Sequence, residues 1–220
     1  MKYYKALLFG SIGSIVETSE IQRKSFNKAF KQYGLDWNWS KREYQSLLNK
    51  SGSKNRISRY AKKKKILVNS TYLRKLKTKI FNNYLKKNQL KLRPGVKNLI
   101  SLCKKENIKI AFVSSTSKNN INAILYSLRN SLNKSDFNFI GSEKLVKKLK
   151  PNPDIYLLTL NKLKLKAKDC VAIEDTQESL NSARRAKIKC IIFPGKFHSS
   201  KKFTGAYKKV YRLNKNIILR

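Results

Sequence analysis

The sequence predicts an α/β fold: a doubly wound parallel sheet with an all-helical segment inserted after the first strand. Three observations predict it. A compact apolar run, Tyr3 to Phe9, ends at a Gly/Ser turn, Gly10 to Ser14. Beyond Pro94-Gly95, strand-length and helix-length apolar patterns alternate, and strands separated by crossover helices give parallel, right-handed connections. Between these regions the spacing is helical, with no strand alternation. The expected division is a core of residues 1–17 and 90–220, with a helical cap over 18–89 set at the carboxyl ends of the strands, where such sheets bind ligands.

Element by element, helical periodicity starts near Ser19 and runs through Phe26, Ala29, Phe30 and Tyr33 to Gly34, a glycine suited to end a helix. Helical spacing returns at Tyr44 to Leu48, at Ile57 and Tyr60, and from Ile66 to Tyr84. In the second half, helices are expected at Val96–Lys105, Asn120–Leu128, Pro153–Leu163 and Gln177–Ala186. Strands are expected at Ile108–Val113, Phe137–Ile140, Val171–Ile173 and Cys190–Phe193.

Charge is the outstanding compositional feature, with 51 basic against 12 acidic residues and a formal net charge of +39. Such a surface favours acidic partners: an acidic protein, a large assembly, or nucleic acid held weakly and without sequence preference. Yet 40 of the 51 basic residues are lysines, hydrated point charges rather than the forks that read bases, and an A/T-rich coding bias would load lysine evenly over the surface. The densest run, Lys62 to Lys65, reads as a solvated helix face, and Trp37 and Trp39 as packing residues of the cap. No apolar stretch approaches the length of a membrane span. Cys103, Cys170 and Cys190 are unpaired in pattern and His198 is the lone histidine, read as a surface residue, so a zinc site and a disulfide scaffold are excluded. The N-terminus carries no targeting pattern, which points to a soluble protein in a reducing compartment.

Four loops should meet at the carboxyl edge of the sheet: Gly10–Ser14, Ser114–Asn119, Lys150–Pro153 and Glu174-Asp175. Hydroxyls, a lysine and a carboxylate pair at strand ends are the parts of an anion or phosphoryl site. Their order and sequence context resemble the haloacid dehalogenase superfamily, with its Rossmannoid core, and within it the CbbY-like sugar-phosphate phosphatases related to beta-phosphoglucomutase. Phe9-Gly10-Ser11-Ile12-Gly13-Ser14-Ile15-Val16-Glu17-Thr18 stands where that family has FDxDGTLVDT. Leu35 to Trp39 and Ser51 to Ile57 resemble its cap motifs. Val113 to Ser117, Lys150 to Tyr156 and Val171 to Asp175 resemble the remaining catalytic motifs.

The resemblance implies a phosphatase in which the first Asp of the DxD attacks phosphorus and the second serves as acid and base. Here those positions are Gly10 and Ile12, so neither group is intact. The resemblance assigns phosphate contact to Ser115, with Thr116 beside it, and to Lys150. It makes Lys54 of the cap a candidate for substrate phosphate, and Glu174 and Asp175 the vestige of the Mg²⁺ site, which is expected to be unfilled and to leave the chain with no cofactor. Lys150 is then left to pair with Glu174 or Asp175. Ser142, Ser51, Ser179 and Lys187 also depart from the family pattern, at one Asp and three Gly positions. Together with the missing targeting pattern, the resemblance to enzymes of bacteria and plastids implies plastid stroma or cytoplasm as the compartment.

The expected function is thus a CbbY-like pseudophosphatase, a binding or assembly protein with a residual anion site that also uses the free backbone N–H groups of Gly10–Ser14. The alternatives are a weakly active Mg²⁺-dependent sugar-phosphate phosphatase, including one with an unconventional nucleophile, and a basic nucleic-acid or ribosome-associated protein.

Overall fold

The computed structural model describes residues 2–48 and 52–220. The Ser51 position lies outside the described residues. The chain forms two compact units, one of Met1–Glu17 with Gln89–Arg220 and one of Thr18–Asn88.

The first unit is built on six parallel strands, β1 (Ala6–Phe9), β2 (Lys109–Val113), β3 (Phe139–Gly141), β4 (Cys170–Glu174), β5 (Lys189–Ile192) and β6 (Lys208–Lys209), in the order β3-β2-β1-β4-β5-β6. β1 lies between β2 and β4, with Leu7 beside Ile110 on one side and Val171 on the other. All four residues of β1 are fully buried, which accounts for its continuous rather than alternating apolar run. The second unit contains α1 (Ser19–Gln32), α2 (Lys41–Leu47), α3 (Ser53–Lys64) and α4 (Ser70–Lys87). The crossover helices of the first unit are α5 (Val96–Lys105), α6 (Lys118–Ser127), α7 (Asp154–Leu163) and α8 (Gln177–Arg185).

Most expected elements differ from these only by a residue or two at their ends. The third strand starts at Phe139 rather than Phe137, because Lys134–Asp136 forms a 3₁₀ turn that delays entry into the sheet. β6, two lysines long, has no apolar pattern to announce it and is held by pairing with β5. His198 is corrected: it is buried, because Lys196–His198 closes a 3₁₀ turn that draws its ring inward, although its neighbours are polar and basic. All three cysteines are free and buried. Among the described residues no helix is long and apolar enough to cross a membrane.

In the second unit the aromatic residues of α1 pack on Trp37 and Trp39, which are buried as expected; Trp39 sits 4.7 Å from the Phe30 ring and 4.9 Å from the Phe26 ring. Lys62 to Lys65 are exposed at the end of α3, where Lys65 caps the helix in a left-handed conformation at φ 55°. Lys187 adopts φ 59° after α8, where a side chain bears the strain a glycine would escape.

Candidate functional site

At the carboxyl ends of β1, β2 and β4 the structure brings Gly10, Lys150 and Glu174 together. Lys150 comes from the segment entering α7, and its ammonium points back under the sheet edge. It donates to Glu174 Oε1 at 2.5 Å, to the Val113 carbonyl at 2.9 Å and to the Gly10 carbonyl. An ammonium has three protons. In this arrangement all three protons of Lys150 point to internal acceptors. The expectation of an ion pair is met through Glu174.

Glu174 ends β4 fully buried, and Tyr156 on α7, equally buried, donates its hydroxyl to Glu174 Oε1 at 2.6 Å. Burial pushes the Glu174 carboxyl above the ordinary carboxylate range, against the pull of Lys150. Burial and the neighbouring Glu174 push the Tyr156 phenol well above its usual value, so it stays a neutral donor. Glu174 Oε2 is buried without a partner.

The reason this cluster fits is glycine. A Cβ placed on Gly10 would stand 2.0 Å from Glu174 Oε1 and 2.2 Å from the Tyr156 hydroxyl oxygen, so the carboxylate and the phenol occupy the space where any side chain at position 10 would begin. Gly13 is similar, its added Cβ falling 1.7 Å from Asp175 Oδ2. Asp175 accepts from the Ser11 hydroxyl at 2.8 Å, tying the turn after β1 to the end of β4.

Ile12 opens the 3₁₀ turn Ile12–Ser14, half-buried. The backbone N–H groups of this turn are mostly committed, contrary to expectation: Gly10 donates to Ile173, Ser14 to the Ser11 carbonyl, and Ser11 to the Ser14 hydroxyl. A short turn closes on itself and so consumes its own donors. Arg93 fastens it from below, donating to the carbonyls of Gly13, Phe193 and Pro194, the last at 2.6 Å, with its guanidinium 3.4 Å over the Phe193 ring.

Ser115 and Thr116 lie on the loop after β2. The Ser115 hydroxyl is buried without a partner, while Thr116 Oγ1 accepts from Asn120 at 3.0 Å and its carbonyl from Glu143 at 2.9 Å. Ser142 is buried just before the 3₁₀ turn Glu143–Leu145 that follows β3, and Ser179 donates its backbone N–H to Thr176, the cap of α8. Lys54, in the first turn of α3, belongs to the other unit and is exposed.

Mg²⁺ requires several hard oxygen donors arranged octahedrally. The donor set here does not fit. Glu174 Oε1 is taken by Lys150 and Tyr156, which leaves Oε2 as a single open carboxylate oxygen, Asp175 accepts from Ser11, and Gly10 and Ile12 offer no carboxylate. Among the described residues no cluster of three His, Cys, Asp or Glu side chains could hold an ion.

Sequence reasoning missed Tyr156 and Arg93. Tyr156 sat within a recognised segment, and a phenol one turn beyond Lys150-Pro151 was the available signal; Arg93, one residue before the Pro94-Gly95 boundary, gave none.

Comparison with known proteins matches residues 13–193 to a family model described as haloacid dehalogenase-like hydrolase. The chain is 33% identical to Protein CbbY of Cereibacter sphaeroides over 92% of its own length and 89% of that protein. It is 29% identical to a CBBY-like protein of Arabidopsis thaliana, covering 91% of this chain and 66% of that one. The crystal structure of CbbY from Rhodobacter sphaeroides in complex with phosphate superposes with a TM-score of 0.83 at 31% identity, covering 94% and 93% of the two chains. Another structure of that protein, a mutant, is in complex with xylulose-(1,5)bisphosphate. Beta-phosphoglucomutase from Clostridium difficile shares the fold, with a TM-score of 0.76 at 23% identity over 96% and 94% of the chains.

Proposed function

The chain belongs to the haloacid dehalogenase-like hydrolases, in their CbbY-like branch, and from that premise we propose that it is a non-catalytic member: a binding or assembly protein that keeps the phosphatase fold without its chemistry. One observation carries the reading. The space above Gly10, where a nucleophilic side chain would have to stand, is filled by Glu174 and Tyr156. A glycine has no atom with which to form a covalent phosphoryl intermediate, and isoleucine at position 12 can neither give nor take a proton. What remains of phosphate recognition is the Ser115 hydroxyl and its neighbour Thr116, with Lys150 available only if it gives up Glu174. Lys54 adds a charge in the cap.

The high positive charge supports acidic partners, and weak, salt-sensitive nucleic-acid binding follows from it without a dedicated site. The test is turnover of a sugar bisphosphate and of an aryl phosphate by the purified chain with Mg²⁺, expected to match a mock purification. Turnover well above it, abolished by Asp175→Asn, would establish an active phosphatase instead. A second measurement follows the melting temperature with inorganic phosphate and no metal. A rise that Ser115→Ala removes supports a surviving anion site, and an unchanged response places phosphate elsewhere.

A further inference from the structure

Helices α1 and α4 pack side by side within the second unit and leave between them an outward groove of about 650 Å³. Its floor is apolar. Leu76, Ile80 and Tyr84 follow one another at four-residue intervals along α4, the first two half-buried and the third 45% exposed, and Ile21 of α1 faces them across the groove. Its rims are basic: Lys24 and Lys28 on α1, Lys79 and Lys87 on α4, all exposed and none with a salt-bridge partner among the described residues. The single acid in the lining, Glu20, is already held by a two-pronged contact from Arg23 at 2.7 and 3.0 Å. The groove thus shows an excess of positive charge along both edges of an apolar strip, with Glu20 the one acid near Lys24.

A row at i, i+4 and i+8 is the ridge against which another helix packs, and it extends about 12 Å, a little over two helical turns. Ile21, Leu76 and Ile80 give a nucleic acid nothing to stack on, Tyr84 alone in the lining offers a ring, and lysine ammoniums do not form the paired forks that hold phosphates. An apolar stripe flanked by carboxylates answers both the floor and the rims.

We infer that the groove between α1 and α4 is a docking site for an acidic amphipathic helix of a partner protein, its apolar stripe on Leu76, Ile80 and Tyr84 and its carboxylates facing Lys24, Lys28, Lys79 and Lys87. This deepens the proposed binding role and rests on it for its biological sense, while the groove itself is independent of the Gly10 cluster.

The test uses the full chain and a fluorescent peptide of about 16 residues with leucines at the helical stripe positions and glutamates flanking them, alongside an isomer of the same composition with the leucines scattered. Saturable binding at physiological salt is expected, at least about tenfold tighter for the striped peptide. The Lys28→Glu, Lys79→Glu double variant changes only exposed positions and should weaken it about tenfold, as should Ile80→Ser. Equal affinity for the two peptides, or an unchanged affinity in the charge-reversed variant, overturns the proposal. So does a single-stranded oligouridylate that displaces the striped peptide and loses affinity on Ile80→Ser, which would make the occupant a nucleic acid. Phosphatase turnover in the same preparation would remove the non-catalytic reading while leaving peptide binding to be judged by these outcomes.

Discussion

The Tyr156 hydroxyl and the Lys150 ammonium converge on one oxygen of Glu174, at 2.6 and 2.5 Å. A buried carboxylate is tolerable only with such company, and each partner's removal has a measurable consequence.

Replacing Lys150 with Met should cost about 3–5 kcal/mol near neutral pH, because the Glu174 charge is left buried without its cation. The pH dependence gives the sign. An acid whose folded pKa is raised binds more protons folded than unfolded, so stability falls as pH rises from its unfolded value through its folded one. Glu174 is already raised in the native chain, and losing Lys150 raises it further. The variant's deficit should therefore widen as pH rises past the folded value of Glu174 in the native chain, itself above 4.5, and shrink in acid. Urea unfolding across pH reads this, and a deficit independent of pH would refute the pairing.

Gly10→Ala tests the occupied space. The new methyl must displace Glu174 and Tyr156, and overpacking of this kind costs about 1–3 kcal/mol. In a Glu174→Ala, Tyr156→Phe background the loss should fall close to nothing. A double-mutant cycle with no coupling between position 10 and this pair would show that the cluster does not depend on the glycine.

The cap holds a buried amine. Lys77 lies 4.9 Å from the rings of both Phe26 and Phe81, donates to Gln22, and is drawn down to about 7 by burial, with Arg56 and Arg74 adding repulsion. Its ordinary value is 10.5. Between these two values the unfolded chain binds the extra proton, so stability should rise as pH increases from about 7 to 10.5 and be flat below 7 with respect to this group, at up to about 1.4 kcal/mol per unit. Lys77→Met should raise the melting temperature at pH 7 and remove that rise. A variant that keeps the same slope would assign it to another group.

The order of strands and helices was readable because each buried strand is a short apolar run between glycine-rich or polar turns, as in Leu7 to Gly10 and Val171 to Glu174. The candidate site was readable as a set of loops, since residues at the carboxyl ends of parallel strands share one edge whatever their separation in sequence. The internal use of Lys150 was not. Sequence spacing cannot tell whether a lysine near a carboxylate keeps a proton for solvent or spends all three on carbonyls and Glu174. Nor could it reveal that the donors of Ser11 and Ser14 close on their own turn while that of Gly10 goes to Ile173 of β4. The burial of His198 was hidden for a related reason: a 3₁₀ turn sets the direction of its ring, while the neighbouring lysines and serines suggested only a surface.

The position of β1 between β2 and β4 also bears on synthesis. Its four apolar residues leave the ribosome long before either neighbour, and β4 ends at residue 174. At roughly 5–20 residues per second that wait is on the order of 8–33 s. The second unit, contained within residues 18–88, has all its helices in hand far earlier. A nascent chain would thus carry a finished helical module while its future central strand is still unpaired, and the interval before β4 emerges is when chaperones have most to protect.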